Sequence, residues 1–300
     1  MTTRCGFVAV VGRPNVGKST LVNRLLGLKL SITSRRPQTT RHAILGIHTA
    51  GDAQAVFIDT PGLHTRRKGA LNRYLNRTAT ASLVDADLVV FVVDRLRWTD
   101  EDAAVLERLR EQEAPVLLAV NKIDLLADKG VLLPGIEAFA ASGLYADIIP
   151  LSARAGSNVE TLERCVMTRL PEGEHLFSSE QYTDRSERFL AGELVREKLT
   201  RQLDKELPYT LSVEVERFQR RDRLLAIDAL IWVERPSQKA IVIGRGGEGL
   251  KRVGSRARRD LERLFGQQVL LNLWVRVKER WTDDEQALHR LGYVEPGAPE

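Results

Sequence analysis

Apolar residues in the first half of the chain fall in short unbroken runs separated by amphipathic stretches. Phe7–Val11 (FVAVV), Asp87–Asp94 (DLVVFVVD), Pro115–Val120 (PVLLAV) and Ala146–Ala153 (ADIIPLSA) are continuous rather than alternating. Such runs predict strands covered on both faces. Ala43–His48 (AILGIH) and Ala55–Asp59 (AVFID) flank Gly51-Asp52 and predict a hairpin. Helical spacing predicts helices near 17–27, 70–83, 99–112, 133–141 and 156–170. Strands alternating with helices argue for a mostly parallel sheet with helices on both faces.

The pattern changes after residue 170. Residues 170–184 (LPEGEHLFSSEQYTD) lack periodicity and predict a linker, with a second domain over 185–300 and the first over 1–170. Leu190, Leu194, Val195 and Leu199 predict a helix over 185–207. YTLSVEVERF alternates like a half-buried strand, and LLAIDALIWVER follows it across a turn at Arg221-Asp222. Residues 249–265 predict a basic helix, and QVLLNLWVRVKE a last strand. AIVI, at 240–243, reads equally as strand or helical turn. Ala287, Leu288 and Leu291 suit a short closing amphipathic helix.

Composition narrows the classes. With 43% hydrophobic and 28% charged residues over 300 positions, the chain can bury a sizeable core as about two domains. No apolar run approaches a membrane span, and the N-terminus lacks a signal-peptide layout. Two cysteines, Cys5 and Cys165, make neither a disulfide framework nor a zinc site. Residues 1–170 carry 22 basic and 17 acidic side chains, whereas 171–300 carry 23 of each. The basicity of the second half is therefore local, and it gathers around residues 239–263, beside a glycine-rich loop.

Residues 12–19 (GRPNVGKS) satisfy G-x-x-x-x-G-K-[ST] between a strand and a helix. Gly12, Asn15, Val16 and Gly17 are expected to wrap backbone N–H groups around phosphates, and Thr20 continues the first helical turn. Lys18 is expected to reach the β- and γ-phosphates, and Ser19 to ligate Mg²⁺. Asp59-Thr60-Pro61-Gly62 ends a strand. Asp59 is expected to hold Mg²⁺ through water, and the Gly62 N–H to meet the γ-phosphate. Asn121-Lys122-Ile123-Asp124 ends another strand. There the Asp124 carboxylate can accept from guanine N1–H and N2–H₂, the Lys122 stem can lie on the base, and an N–H of Ser152-Ala153 can greet O6. Adenine lacks that donor pair, so a carboxylate there argues against an ATPase or kinase.

These motifs, in this order, resemble the small GTPase superfamily, and SITSRRPQTTRHAILGIH (31–48) resembles the switch of its TrmE–Era–EngA branch. That resemblance implies a Ras-like P-loop domain, with Thr40, beside Thr39, closing on Mg²⁺ and the γ-phosphate. It also makes K⁺ a further candidate ligand of Asn15. Leu63 stands where Ras-like enzymes place a water-orienting Gln, so slow intrinsic hydrolysis is expected. His64 reads as a surface histidine.

VIGRGGEGLKR (242–252) fits two patterns, the dinucleotide G-x-G-x-x-G and the RNA-clamping G-x-x-G of Gly244 and Gly247. A dinucleotide fold needs a further βαβ unit, and only one strand remains after the helix. The order helix–strand–strand–short helix–helix–strand suits a type II KH domain, with IVI as a groove wall. Gly244, Arg245, Gly246 and Gly247 are the expected clamp, and Lys251, Arg252 and Arg256 its phosphate partners. Together with the closing WVRVKERWTDDEQALHRLGY, the chain resembles the Era family of GTPases over nearly its whole length. The resemblance implies a GTP-hydrolysing switch that binds 16S rRNA near its 3′ end and assists 30S subunit maturation. It also implies a monomeric cytoplasmic protein with peripheral association on the inner face of the membrane. The competing reading is a constitutive RNA-binding scaffold whose nucleotide is structural.

Overall fold

The computed structural model describes residues 2–34, 36, 39–61, 70–84, 86–204, 207–284, 286, 288 and 293. These residues divide into two compact units. In the first, six strands stand in the order β2-β3-β1-β4-β5-β6. They are β1 (Arg4–Val11), β2 (Ile44–Ala50), β3 (Ala53–Asp59), β4 (Leu88–Asp94), β5 (Val116–Asn121) and β6 (Asp147–Pro150). β2 pairs antiparallel to β3 and every other pairing is parallel. The helices are α1 (Lys18–Leu25), α2 (Ala70–Val84), α3 (Asp100–Leu109), α4 (Leu132–Ala140) and α5 (Val159–Arg169). Alternate strand residues serve two cores. Val8, Val10, Val90 and Val92 pack with α1 and α5, whereas Ala9, Val11, Val89, Phe91 and Val93 pack with α2 and α3. Burial of both faces explains why these strands read as continuous apolar runs.

Residues 171–184, expected as a linker, group with the first unit. Glu172 bridges Arg4, Thr183 bridges Gly46, and the Phe177 N–H donates to Gln54 Oε1 at 3.0 Å. The segment lacks periodicity because its polar groups pair with strand edges and buried amides, a pattern no period reveals.

The second unit holds Arg185–Glu300 with Ile32–Thr39 and Lys68–Tyr74. Its helices are α6 (Glu187–Gln202), α7 (Pro236–Ile243) and α8 (Glu248–Phe265), over a sheet of order β7-β8-β9. β7 (Ser212–Arg221) is antiparallel to β8 (Leu224–Val233), and β9 (Gln268–Val277) is parallel to it. AIVI resolves as the end of α7, started by Pro236 at its first turn. The arrangement is the type II KH order. α6 buries Glu193, Arg196, Glu197 and Lys198 beside its apolar residues, so its helical stripe is masked in sequence. These charges are paired: Arg196 binds Glu193 through Nε and Nη2 at 2.6 Å each, and Lys198 binds Glu197 at 2.8 Å. Segment 32–39 supplies further partners, with the Thr33 N–H donating to Glu197 Oε1 at 3.1 Å and the Thr39 carbonyl accepting from Arg196 at 2.5 Å. The closing helix expected around Ala287 and Leu291 lies outside the described residues, although Leu288 is buried.

Candidate functional site

Three loops leave the carboxyl ends of β1, β3 and β5, where an α/β sheet binds its ligands. The first runs from Gly12 to Gly17. Gly12 has φ of 148° and Gly17 of 107°. A Cβ at Gly12 would lie 2.4 Å from the Val92 carbonyl oxygen, and one at Gly17 2.4 Å from Asn121 Nδ2. Both positions therefore require glycine. Asn15 adopts the left-handed conformation at φ 64°, which Asn tolerates better than most residues.

The carbonyls of this loop are held by side chains. Lys18 Nζ donates to the Gly12 and Arg13 carbonyls at 2.9 and 3.1 Å. Lys122 Nζ donates to the Asn15 carbonyl at 2.6 Å, and Asn121 Nδ2 to that of Val16 at 2.8 Å. With the carbonyls turned to these donors, the amides and the start of α1 are left for an anion. Burial pulls the Lys18 ammonium down to about 8; the Asp59 charge opposes this and Arg13 adds to it.

The Ser19 and Thr40 hydroxyls lie 2.8 Å apart. Thr39 turns its hydroxyl to Ser34 Oγ at 2.6 Å and the Arg36 carbonyl at 2.7 Å, so Thr40 is the threonine that joins the loop. Asp59 is fully buried, and neither carboxylate oxygen has a hydrogen-bond partner. Burial raises its pKa, against the nearby Ser19 and Ser31 hydroxyls, which stop short of hydrogen-bonding geometry, and the Lys18 charge. An orphaned buried carboxylate beside two hydroxyls fits a hard divalent cation such as Mg²⁺. Gly62, like Leu63 and His64, lies outside the described residues.

The third loop carries Asn121, which is 2% exposed. Its Oδ1 accepts from the Lys122 N–H at 2.8 Å and the Ala153 N–H at 2.9 Å. Asp124 is exposed, and its Oδ1 accepts from Ser152 Oγ at 2.6 Å. That bond fixes the carboxylate and leaves its other oxygen for a donor pair. The Ser152 N–H donates to the Ser157 carbonyl at 3.0 Å and the Ala153 N–H to Asn121 Oδ1 at 2.9 Å. Asn121 draws Ala153 in because its own buried amide must be satisfied.

In the second unit, Gly244 (φ 75°), Gly246 (φ 59°) and Gly247 (φ 83°) join α7 to α8. A groove of about 440 Å³ opens beside them. One wall is a face of α8 with Leu250, Lys251, Gly254 and Arg258; the other is β9, from Leu271 to Trp274. β9 is an edge strand, so its outer backbone groups are unpaired by the sheet. The expected IVI wall is corrected: Val242 is fully buried in the core, Ile241 faces outward at 60% exposure, and β9 forms that wall. Arg252 and Arg256 are exposed but do not line the groove, because 247, 250, 251, 254 and 258 share one helical face and they do not.

Comparison with known proteins agrees with both units. A family described as 50S ribosome-binding GTPase matches residues 7–122, and the KH domain family matches 206–282. The GTPase Era of Azotobacter vinelandii is 60% identical over 290 residues, covering 97% of each chain. The chain belongs to the Era family of GTPases. Two solved Era structures superpose with a TM-score of 0.93 at 36% identity, over 97% of this chain and 99% of theirs. One is Aquifex aeolicus Era bound to GDP·AlF₄⁻; the other is Era in complex with MgGDPNP and nucleotides 1506–1542 of 16S ribosomal RNA. This Era-family chain is therefore a GTPase with a Ras-like domain followed by a KH domain.

Sequence reasoning missed Asp94, Arg13 and Asp102. Asp94 ends β4 as Asp59 and Asn121 end their strands, a positional signal that was available. It accepts from Lys122 Nζ and Arg95 Nε at 2.8 Å each. Partial burial opposes ionisation there, but these two cations hold the carboxyl below its ordinary value. In the KH domain, Arg258, Asn272 and Trp274 were missed because groove membership depends on which strand edge meets α8.

Proposed function

We propose that this Era-family GTPase is a guanine-nucleotide switch that binds 16S rRNA near its 3′ end and assists 30S subunit maturation. The observation that carries the RNA half is the groove itself. A positive-φ glycine loop, two cations (Lys251 and Arg258) and the apolar side chains of Leu250, Leu271 and Leu273 line a groove between α8 and the edge strand β9. KH domains hold single-stranded nucleic acid with a glycine loop against the backbone. The related Era that was solved with MgGDPNP and 16S nucleotides supports the same ligand here.

On the nucleotide side, the loop amides and Lys18 hold the β- and γ-phosphates. Asp124 reads guanine, with Ser152 fixing the carboxylate. Mg²⁺, when bound, neutralises the phosphates, and Ser19, Thr40 and Asp59 are its holders. Thr40 is the residue that closes on the γ-phosphate side, its hydroxyl standing 2.8 Å from that of Ser19. Hydrolysis is slow because Leu63 cannot orient water. K⁺ at Asn15 is the accelerating cation, and identical rates in K⁺ and Na⁺ buffers would remove it from the scheme.

The deciding experiment compares affinity for a 16S 3′-end RNA in the GTP-analogue and GDP states. A difference supports the switch, whereas equal affinities favour a constitutive scaffold with a structural nucleotide. Replacing both Arg245 and Gly247 by Asp should abolish RNA binding and spare basal hydrolysis. The proposed location is the cytoplasm, as a monomer, with membrane association only peripheral. Among the described residues no helix is long and apolar enough to cross a membrane.

A further inference from the structure

Arg13 lies inside the phosphate loop, yet its side chain is engaged by two carboxylates of other elements, Asp102 and Asp94. Its Nε donates to Asp102 Oδ2 at 3.0 Å, and its Nη2 lies 4.0 Å from Asp94 Oδ2. Asp102 is fully buried at the start of α3. The same Oδ2 accepts from the Thr99 N–H at 3.0 Å and the Thr99 hydroxyl at 2.7 Å, forming a capping box with Thr99. Asp94 in turn holds Lys122 Nζ, which grips the Asn15 carbonyl. The loop thus has an outer frame of charged groups, joined through Lys122 to the donors that hold its carbonyls.

An ordinary helix cap needs no arginine from a neighbouring loop. A buried carboxylate, conversely, is costly unless it is paired. Arg13 is its ion-pair partner, and the geometry ties α3 to the one loop that must keep its amides converged. We propose that Arg13 is a positioning residue for the nucleotide, anchored on Asp102 and Asp94. It fixes the outer side of the phosphate loop so that the nucleotide meets a preformed cradle rather than ordering one on binding. The anchor through Asp94 also reaches Lys122, so the phosphate loop and the guanine loop are set by one ion-pair frame. This inference rests on the reading of residues 12–19 as the nucleotide cradle.

The test measures fluorescent GDP binding and GTP turnover in the full-length protein. Arg13→Met should raise the GDP Kd by about tenfold, mostly through faster release, as expected when a cradle loses preorganisation. KM for GTP should rise similarly while kcat changes by less than about threefold, because Arg13 touches no reacting atom. Arg13→Lys should recover part of the loss. Asp102→Asn should also weaken GDP, and the double variant should be no more than about twofold worse than the weaker single one, the signature of one shared interaction. Thr99→Ala is the structural control. It damages the cap of α3 and should lower the Tm, but leave the Kd within about twofold. The proposal is overturned if Arg13→Met binds GDP like the parent, if the two losses multiply, or if Thr99→Ala weakens GDP equally. Lys18→Ala separates the premises: if it leaves GDP binding intact, the cradle itself is misassigned, whereas its loss beside an unaffected Arg13→Met sinks the positioning role alone.

Discussion

Asn121→Ala should weaken GDP binding far more than it weakens the fold. The side chain makes three hydrogen bonds: one from Nδ2 to the Val16 carbonyl, and two accepted by Oδ1 from the Lys122 and Ala153 amides. They tie three loops together at a residue only 2% exposed. A net worth of about 1 kcal/mol for each bond gives ~3 kcal/mol, the more so where a buried group is left unsatisfied. Without nucleotide the three loops can relax toward water, so much of that cost is deferred until a ligand must order them. If all of it is deferred, the GDP Kd rises roughly 100- to 200-fold, at 1.4 kcal/mol per factor of ten. Stopped-flow release of a fluorescent GDP gives the loss in binding, and thermal melts with and without saturating GDP give the share carried by the fold. A Kd within about threefold of the parent would refute the reasoning. So would an equal fall in Tm with and without GDP, because the bonds would then serve the fold and not the site.

Further outcomes test other parts of the site. Lys18 has its pKa lowered to about 8 by burial, and bound phosphates would raise it. The protonated form is the one that binds, so GDP affinity should be flat below pH 8 and fall by about tenfold per pH unit above it, until the pKa of the complex is reached. Isothermal titration in two buffers of different ionisation enthalpy should show proton uptake on that limb. Asp124→Asn should shift preference from guanosine toward xanthosine nucleotides by about 100-fold or more in competition assays, because the Asn amide can still accept from N1–H and can donate to the O2 that xanthine carries in place of the guanine N2–H₂. Gly249→Ala places a Cβ 2.8 Å from the Val242 carbonyl oxygen and should cost about 2 kcal/mol of KH stability by urea denaturation. Gly246→Ala meets no atom within 4 Å and should cost only the left-handed backbone penalty, about 1 kcal/mol.

The fold of the first domain was legible because β1, β3, β4 and β5 are buried on both faces and helices such as α1, α3 and α5 bury an apolar stripe. Its motifs were legible because phosphate and guanine recognition use backbone amides and one carboxylate at fixed distances from strand ends. What escaped was tertiary. The engagement of Ala153 with Asn121 joins residues 32 positions apart, and no local pattern reveals it. The groove wall was misread for a related reason: IVI and QVLLNLWVRV are both rich in apolar residues, but only the sheet order puts β9 at the edge beside α8. Which of Thr39 and Thr40 turns its hydroxyl toward Ser19 is a matter of backbone direction that the TT pair does not reveal; it is Thr40, while Thr39 faces Ser34.

The two glycine loops now separate on physical grounds. In the first, glycine is forced by neighbours, since a Cβ would strike the Val92 carbonyl or Asn121 at 2.4 Å. Its carbonyls are already bound by Lys18, Asn121 and Lys122, so its amides are fixed before any ligand arrives. A rigid cradle suits a compact polyphosphate whose oxygens keep one spacing. In the second, Gly246 and Gly247 have open space where a Cβ would stand, and what they contribute is positive φ and access. An open, bare backbone suits a polymer that must approach closely and adjust from one nucleotide to the next. Gly244 differs from both companions: its Cβ would lie 2.8 Å from the Gly249 N–H, so it is held by the packing of α8 against the end of α7. Substitutions at 246 and 247 therefore probe the ligand, whereas substitutions at 244 and 249 probe the fold that presents the loop.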